Sequence, residues 1–137
     1  MTVTVPTCRG NFQSMWMAEG GYEKVASAVF DQPHVDGYFL EYDSERSGGF
    51  EPLAFVPKNK RVVLGLVSSK KPEIESKDQL KRRIEEAAKF FPLENLCLSP
   101  QCGFASTHHG NKITEDVEKR KLALLVEVAT EVWGSAA

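Results

Sequence analysis

The chain has 137 residues, 42% of them hydrophobic and 26% charged, with 17 basic against 19 acidic side chains for a formal charge of −2. That is the size of one ordinary domain, rich enough in apolar residues to bury a core without crosslinks. The two signs of charge are interspersed rather than gathered into a stripe or tail, which argues against nucleic acid and anionic membrane as partners.

Val3 to Thr7 is a short β-branched run that ends at Cys8, and Arg9-Gly10-Asn11 reads as the turn leaving a strand. After Gly20-Gly21, the segment Tyr22 to Phe30 sets Val25, Val29 and Phe30 at helical spacing, and Gln32-Pro33 stops it. Val35 to Leu40 is β-rich and delivers the acidic loop Glu41-Tyr42-Asp43-Ser44-Glu45-Arg46. Arg61 to Val67 is almost continuously apolar, the pattern of a parallel strand covered on both faces, and Ser68-Ser69-Lys70 ends it.

Ser76 and Gln79 have the spacing of a capping box, and Leu80, Ile84, Ala87, Ala88 and Phe91 fall on one face of the helix they would start. Leu96-Cys97-Leu98 is a short strand that runs into the turn Ser99-Pro100-Gln101-Cys102-Gly103. Thr114 caps a last helix, with Glu115 and Asp116 in its first turn and Leu122, Leu125, Val126, Ala129, Val132 and Trp133 as its expected buried stripe until Gly134.

Strands alternating with helices call for parallel strands joined by right-handed crossovers, an α/β fold. A closed eight-stranded barrel usually takes about 250 residues, whereas four strands are predicted here. The chain is therefore a single domain, 1–137, built either as a small open sheet or as a partial TIM-type barrel. No apolar run approaches the roughly 20 residues of a membrane span, and Met1 to Pro6 lacks the regions of a signal peptide. With three cysteines and no export signal, a cytoplasmic location and free thiols, rather than a disulfide framework, are expected.

Sites in parallel α/β folds lie beyond the C-terminal ends of the strands, where Cys8, Glu41 and Cys102 all fall. Two thiolates and a carboxylate suit Zn2+, which takes sulfur, nitrogen and oxygen ligands in a tetrahedron. By spacing alone that signal is weak, because the cysteines are far apart in sequence and two ordinary cysteines near loops explain them as well. Cys97, between two leucines, reads as a small core residue. His108-His109 reads as part of a solvated loop, with a second role as a metal ligand if that loop folds over the strand ends. Asp43, Glu45 and Arg46 are equally a surface charge cluster or a substrate-facing group, and Glu45 is an alternative to Glu41 as ligand. Gly20-Gly21 and Gly48-Gly49 lack the spacing of a phosphate-binding loop and read as turns, and Trp16 and Trp133 as core or interface aromatics.

Three segments carry a resemblance: Cys8-Arg9-Gly10-Asn11-Phe12, Phe39-Leu40-Glu41-Tyr42-Asp43-Ser44-Glu45-Arg46-Ser47-Gly48 and Leu98-Ser99-Pro100-Gln101-Cys102-Gly103-Phe104-Ala105-Ser106. In this order they resemble the C-terminal barrel domain of the cobalamin-independent methionine synthase family, above all its shorter, single-barrel members. The likeness runs from about Thr4 to Gly134 and covers the last half of that barrel. It implies a zinc site in which the cysteine of a His-x-Cys motif is Cys8, the glutamate after the next strand is Glu41 and the cysteine of the last strand's loop is Cys102. The histidine position holds Pro6, which has no metal-binding side chain.

The implied chemistry is methyl transfer from a polyglutamylated 5-methyltetrahydrofolate to the zinc-held thiol of homocysteine, with no cobalamin. Segments of the first half of the barrel that hold the amino acid in full-length relatives have no counterpart here. A half-barrel that is catalytically inactive and self-associates, or pairs with another chain, is thus the alternative; an open sheet edge with apolar surface predicts a homodimer. A zinc enzyme acting on a different thiol is a third option.

Overall fold

The computed structural model describes residues 1–15, 17–31, 34–105 and 107–136; Trp16, the Gln32-Pro33 stop and Ser106 lie outside the described residues. The four β-rich runs become one parallel sheet of β1 (Thr4–Thr7), β2 (Gly37–Glu41), β3 (Arg61–Val67) and β4 (Leu96–Pro100), in the order β1-β2-β3-β4. Every neighbour in space is the next strand in sequence, the order in which right-handed βαβ units lay strands down. The chain is thus α/β with an open four-stranded sheet.

Three helices cross between or follow the strands: α1 (Ala26–Phe30), α2 (Lys77–Ala88) and α3 (Glu115–Trp133). Tyr38, Leu40, Val62, Leu64 and Leu96 are buried with Phe30, Leu80, Ile84, Leu125 and Val128 in one core, which joins the sheet to the helical layer. The opposite face is sparsely covered. Its residues follow from the register: Pro6, Phe39, Val63 and Cys97 lie side by side, and Phe39 stays 40% exposed.

One row nearer the C-terminal ends, Glu41, Gly65 and Ser99 are aligned. Cys8, two residues beyond Pro6, continues the same face at that level. Gly65 keeps this row open, since a Cβ there would lie 3.0 Å from both the Leu40 carbonyl oxygen and Gln101 Cα.

Four helical expectations need correction. The segment from Tyr22 is a turn up to Val25, whose N–H donates to the Tyr22 carbonyl at 3.0 Å, and becomes helical only over Ala26–Phe30. Tyr22 is held back from helix by its hydroxyl, which is bonded to the ends of β1 and β2. Ser76 precedes α2 with extended backbone and makes no side-chain cap bond, so the capping box is not formed. Phe91 is buried as expected, but three residues past the end of α2. Thr114 does cap α3, accepting from the Val117 N–H at 3.4 Å, and Gly134 ends it in the left-handed region at φ 78°.

The stripe of α3 is rotated from the predicted one: Lys121, Leu124, Leu125 and Val128 are buried, while Leu122 and Val126 are 42% and 54% exposed. From Leu122 to Trp133 apolar residues take up more than one side of the helix, and the buried cation Lys121 lies on the side that faces the core. The fully buried Lys121 Nζ donates to both carboxylate oxygens of Glu75 at 3.0 and 2.8 Å and to the Glu73 carbonyl at 2.6 Å. Glu75 in turn accepts from the Ser68 N–H at 2.8 Å, at the end of β3. A buried charge is tolerated when it is paired and hydrogen-bonded in this way.

No helix among the described residues is long and apolar enough to cross a membrane. Removing the Lys121 ammonium strands the Glu75 carboxylate, and breaking such a pair costs about 3 kcal/mol or more. Lys121→Ala should therefore lower the unfolding free energy measured by denaturant titration by that amount, and adding Glu75→Gln to it should cost little more.

Candidate functional site

Cys8 is the first residue beyond β1 and Cys102 the second beyond β4, the two edge strands of the sheet. In a flat sheet, strands about 4.8 Å apart would put these edges roughly 14 Å from one another. Their Sγ atoms are 3.0 Å apart, so the strand ends curl toward a common axis. Gln101 Nε2 donates to the Cys102 sulfur at 2.7 Å and lies 3.8 Å from that of Cys8, and the Gly10 N–H donates to Cys8 at 3.2 Å. Gln101 is itself aimed by Ser69, whose hydroxyl lies 3.1 Å from Gln101 Oε1.

Burial, followed by the hydrogen bond and the charge of Cys8, pushes the Cys102 thiol up to about 12, against the opposing pull of the Lys70 ammonium. Two sulfurs this close cannot both be anionic without a cation between or beside them.

Glu41 is the last residue of β2 rather than the first after it, and its side chain is fully buried. One carboxylate oxygen accepts from the Arg9 N–H at 2.7 Å; the other accepts from Arg46 at 2.5 Å and faces Lys70 Nζ at 3.7 Å. Lys70 is also buried, lies 3.9 Å from Asp43, and its ammonium makes ion pairs but no hydrogen bond. Arg9 also stacks its guanidinium on the Tyr22 ring, 4.5 Å from the centroid, and donates to the Glu41 carbonyl. The buried carboxylate thus takes a backbone N–H from the loop after β1 and faces two cations, from the segments after β2 and β3.

The donor chemistry fits zinc in part. The thiol pair supplies two sulfurs, which a tetrahedral ion with Zn–S of about 2.3 Å would space about 3.8 Å apart, a small opening from the 3.0 Å observed. The Glu41 carboxylate shares their end of the sheet but is turned to Arg9, Arg46 and Lys70. Among the described residues no three His, Cys, Asp or Glu side chains are grouped so as to hold a metal ion.

The His109 ring instead packs edge-on to Phe12 at 6.0 Å, with His108 beside it. Their loop does fold over the strand ends: Asn111 donates to the Ser69 carbonyl and accepts from the Ser14 N–H. Glu45 lies in a short 3-10 turn with Arg46. Cys97 is half-buried on the sparsely covered face, next to Val63. A cavity of about 560 Å3 opens beside the thiols, bounded by Pro6, Phe39, Asn11, Ser99 and Gly103.

Arg9, Tyr22, Lys70 and Gln101 were not anticipated as parts of this site. Lys70 had a signal, because it ends the most clearly apolar strand at the same end as the cysteines. Tyr22 had none, since its sequence position is that of a helical core residue.

The family described as "Cobalamin-independent synthase, Catalytic domain" matches residues 24–131. Two proteins of Bacillus subtilis (strain 168), YxjG and YxjH, are 58% and 52% identical over 134 residues, 97% of this chain. The chain spans about a third of their length, 35% and 36% respectively. A protein from Listeria monocytogenes assigned as a vitamin-B12-independent methionine synthase has a similar structure, with a TM-score of 0.73 and 34% identity over 98% of this chain and 36% of its own. A B12-independent methionine synthase from Shewanella sp. W3-18-1, solved with selenomethionine, shares the fold at a TM-score of 0.73 and 19% identity, over 96% of this chain and 38% of that one. By the extent of the family match and the identity of these relatives, this chain belongs to the cobalamin-independent synthase catalytic-domain family.

Proposed function

We propose that this chain carries the thiol-activating part of a methyltransferase site, in which Cys8, Cys102 and Glu41 would hold Zn2+. The reaction would be transfer of the methyl group of 5-methyltetrahydropteroyltriglutamate to the thiol of homocysteine, giving methionine in the cytoplasm. The observation that carries this reading is the meeting of two sulfurs from opposite edges of the sheet at its C-terminal end. Bound there, zinc supplies Lewis acidity that keeps a substrate thiol as the nucleophilic thiolate near neutral pH.

The protein's own groups do the positioning. Gln101 and the Gly10 N–H donate hydrogen bonds to the sulfurs, which orients them. Arg9 and Arg46 fix the Glu41 carboxylate at the end of β2, and Lys70 balances the added negative charge from β3. The cavity beside Cys8 and Cys102 gives a substrate a route to the thiols.

Two observations favour the second reading, an inactive half-barrel that self-associates or pairs with another chain. Pro6 stands where the family's histidine ligand is expected, and the face bearing Phe39 and Pro6 is sparsely covered, leaving Phe39 40% exposed.

Metal analysis of the purified chain decides between these. The methyltransferase reading expects about one zinc per chain, lost in Cys102→Ser, and a homogeneous folded protein that stays metal-free in excess zinc rejects it. Glu41→Gln should weaken zinc at least tenfold in competition with a chromophoric chelator if the carboxylate is a ligand, and leave it unchanged if it only neutralises Arg46 and Lys70. Sedimentation of the metal-free protein should show a dimer if the open face pairs with a second copy.

A further inference from the structure

We infer that Cys8 and Cys102 form a two-electron redox couple, a site of reversible oxidation by hydrogen peroxide. This goes beyond the zinc reading and stands on the thiol geometry alone. The two sulfurs lie 3.0 Å apart, about 1 Å beyond the length of a disulfide bond. They differ in access as a nucleophile and a resolving thiol should: Cys8 is exposed and Cys102 is half-buried.

The chemistry balances as follows. The Cys8 sulfur attacks one peroxide oxygen, the O–O bond breaks, and the product is a sulfenic acid on Cys8 with one water released. The Cys102 sulfur then attacks the Cys8 sulfur, the S–O bond breaks, and the sulfenic oxygen leaves as a second water with the Cys102 proton. Two thiols and one peroxide thus give a disulfide and two waters, and a small-molecule dithiol reverses it.

The bond joins the tips of β1 and β4, so it links the two edges of the open sheet. It also uses both sulfurs, so the oxidised chain cannot present a thiolate pair to a metal. Cys97, on the sparsely covered face of β4, provides an internal reference thiol.

The test is thiol counting on the metal-free, reduced full chain treated with one equivalent of hydrogen peroxide, followed by mass spectrometry. The expected result is a fall from three free thiols to one, a loss of 2 Da in a monomeric product, and a single linked peptide pair containing Cys8 and Cys102. Dithiothreitol should restore all three thiols, and Cys97→Ser should oxidise at the wild-type rate. Oxygen additions of 16 or 32 Da on unlinked cysteines, a bridge through Cys97, or only intermolecular disulfides would overturn the inference. Because no metal takes part, a chain that fails to bind zinc can still pass this test, and one that binds zinc can still fail it.

Discussion

The burial of the Glu41 carboxylate constrains the whole C-terminal end of the sheet. A fully buried anion in a small domain is tolerated only with charged or N–H partners in place. Here those partners come from the loop after β1 (Arg9), from the turn after β2 (Arg46) and from the end of β3 (Lys70). Each must reach inward to one point, so satisfying Glu41 also fixes where the loops carrying Cys8 and the Ser69–Gln101 contact can lie. The thiol pair is therefore a product of the same convergence that solvates the carboxylate.

The strands were legible in the sequence because their signals are local. The apolar run of β3 has the same bounds in the structure as in the sequence, and β4 extends two residues past its predicted end to Pro100. The helices were legible in kind but less so in detail. Apolar spacing could not orient α3, because its buried face includes Lys121 bonded to Glu75, a pairing between segments 46 residues apart. The turn at Tyr22 was hidden for a similar reason, since its hydroxyl bonds to strand ends that come together only in the fold.

The site shows the same division. Position at a strand end is a sequence property, and it selected Cys8, Glu41 and Cys102. What faces each group is a property of the register and of the loops, which is why the cation cluster around Glu41 and the amide of Gln101 on the sulfurs were not foreseen. Lys70 illustrates the limit: adjacent in sequence to two serines and another lysine, it looks solvated, yet the structure buries it between two carboxylates.

Pro6 has a consequence for the outer edge of the sheet. The ladder between β1 and β2 is unbroken through Val5, Pro6 and Thr7, although proline has no N–H to give it. The donors facing β2 must then come from Val5 and Thr7, since alternate residues of a strand point their amides to opposite sides. Pro6 therefore turns its nitrogen away from β2, toward the side where a further strand would add. A segment zipping onto that edge finds one donor missing at its centre, a common way for proteins to discourage indiscriminate strand addition. The residue that withholds a side-chain ligand from the site thus also makes the β1 edge selective about its neighbour, leaving β4 as the edge with a complete set of backbone donors up to Ser99.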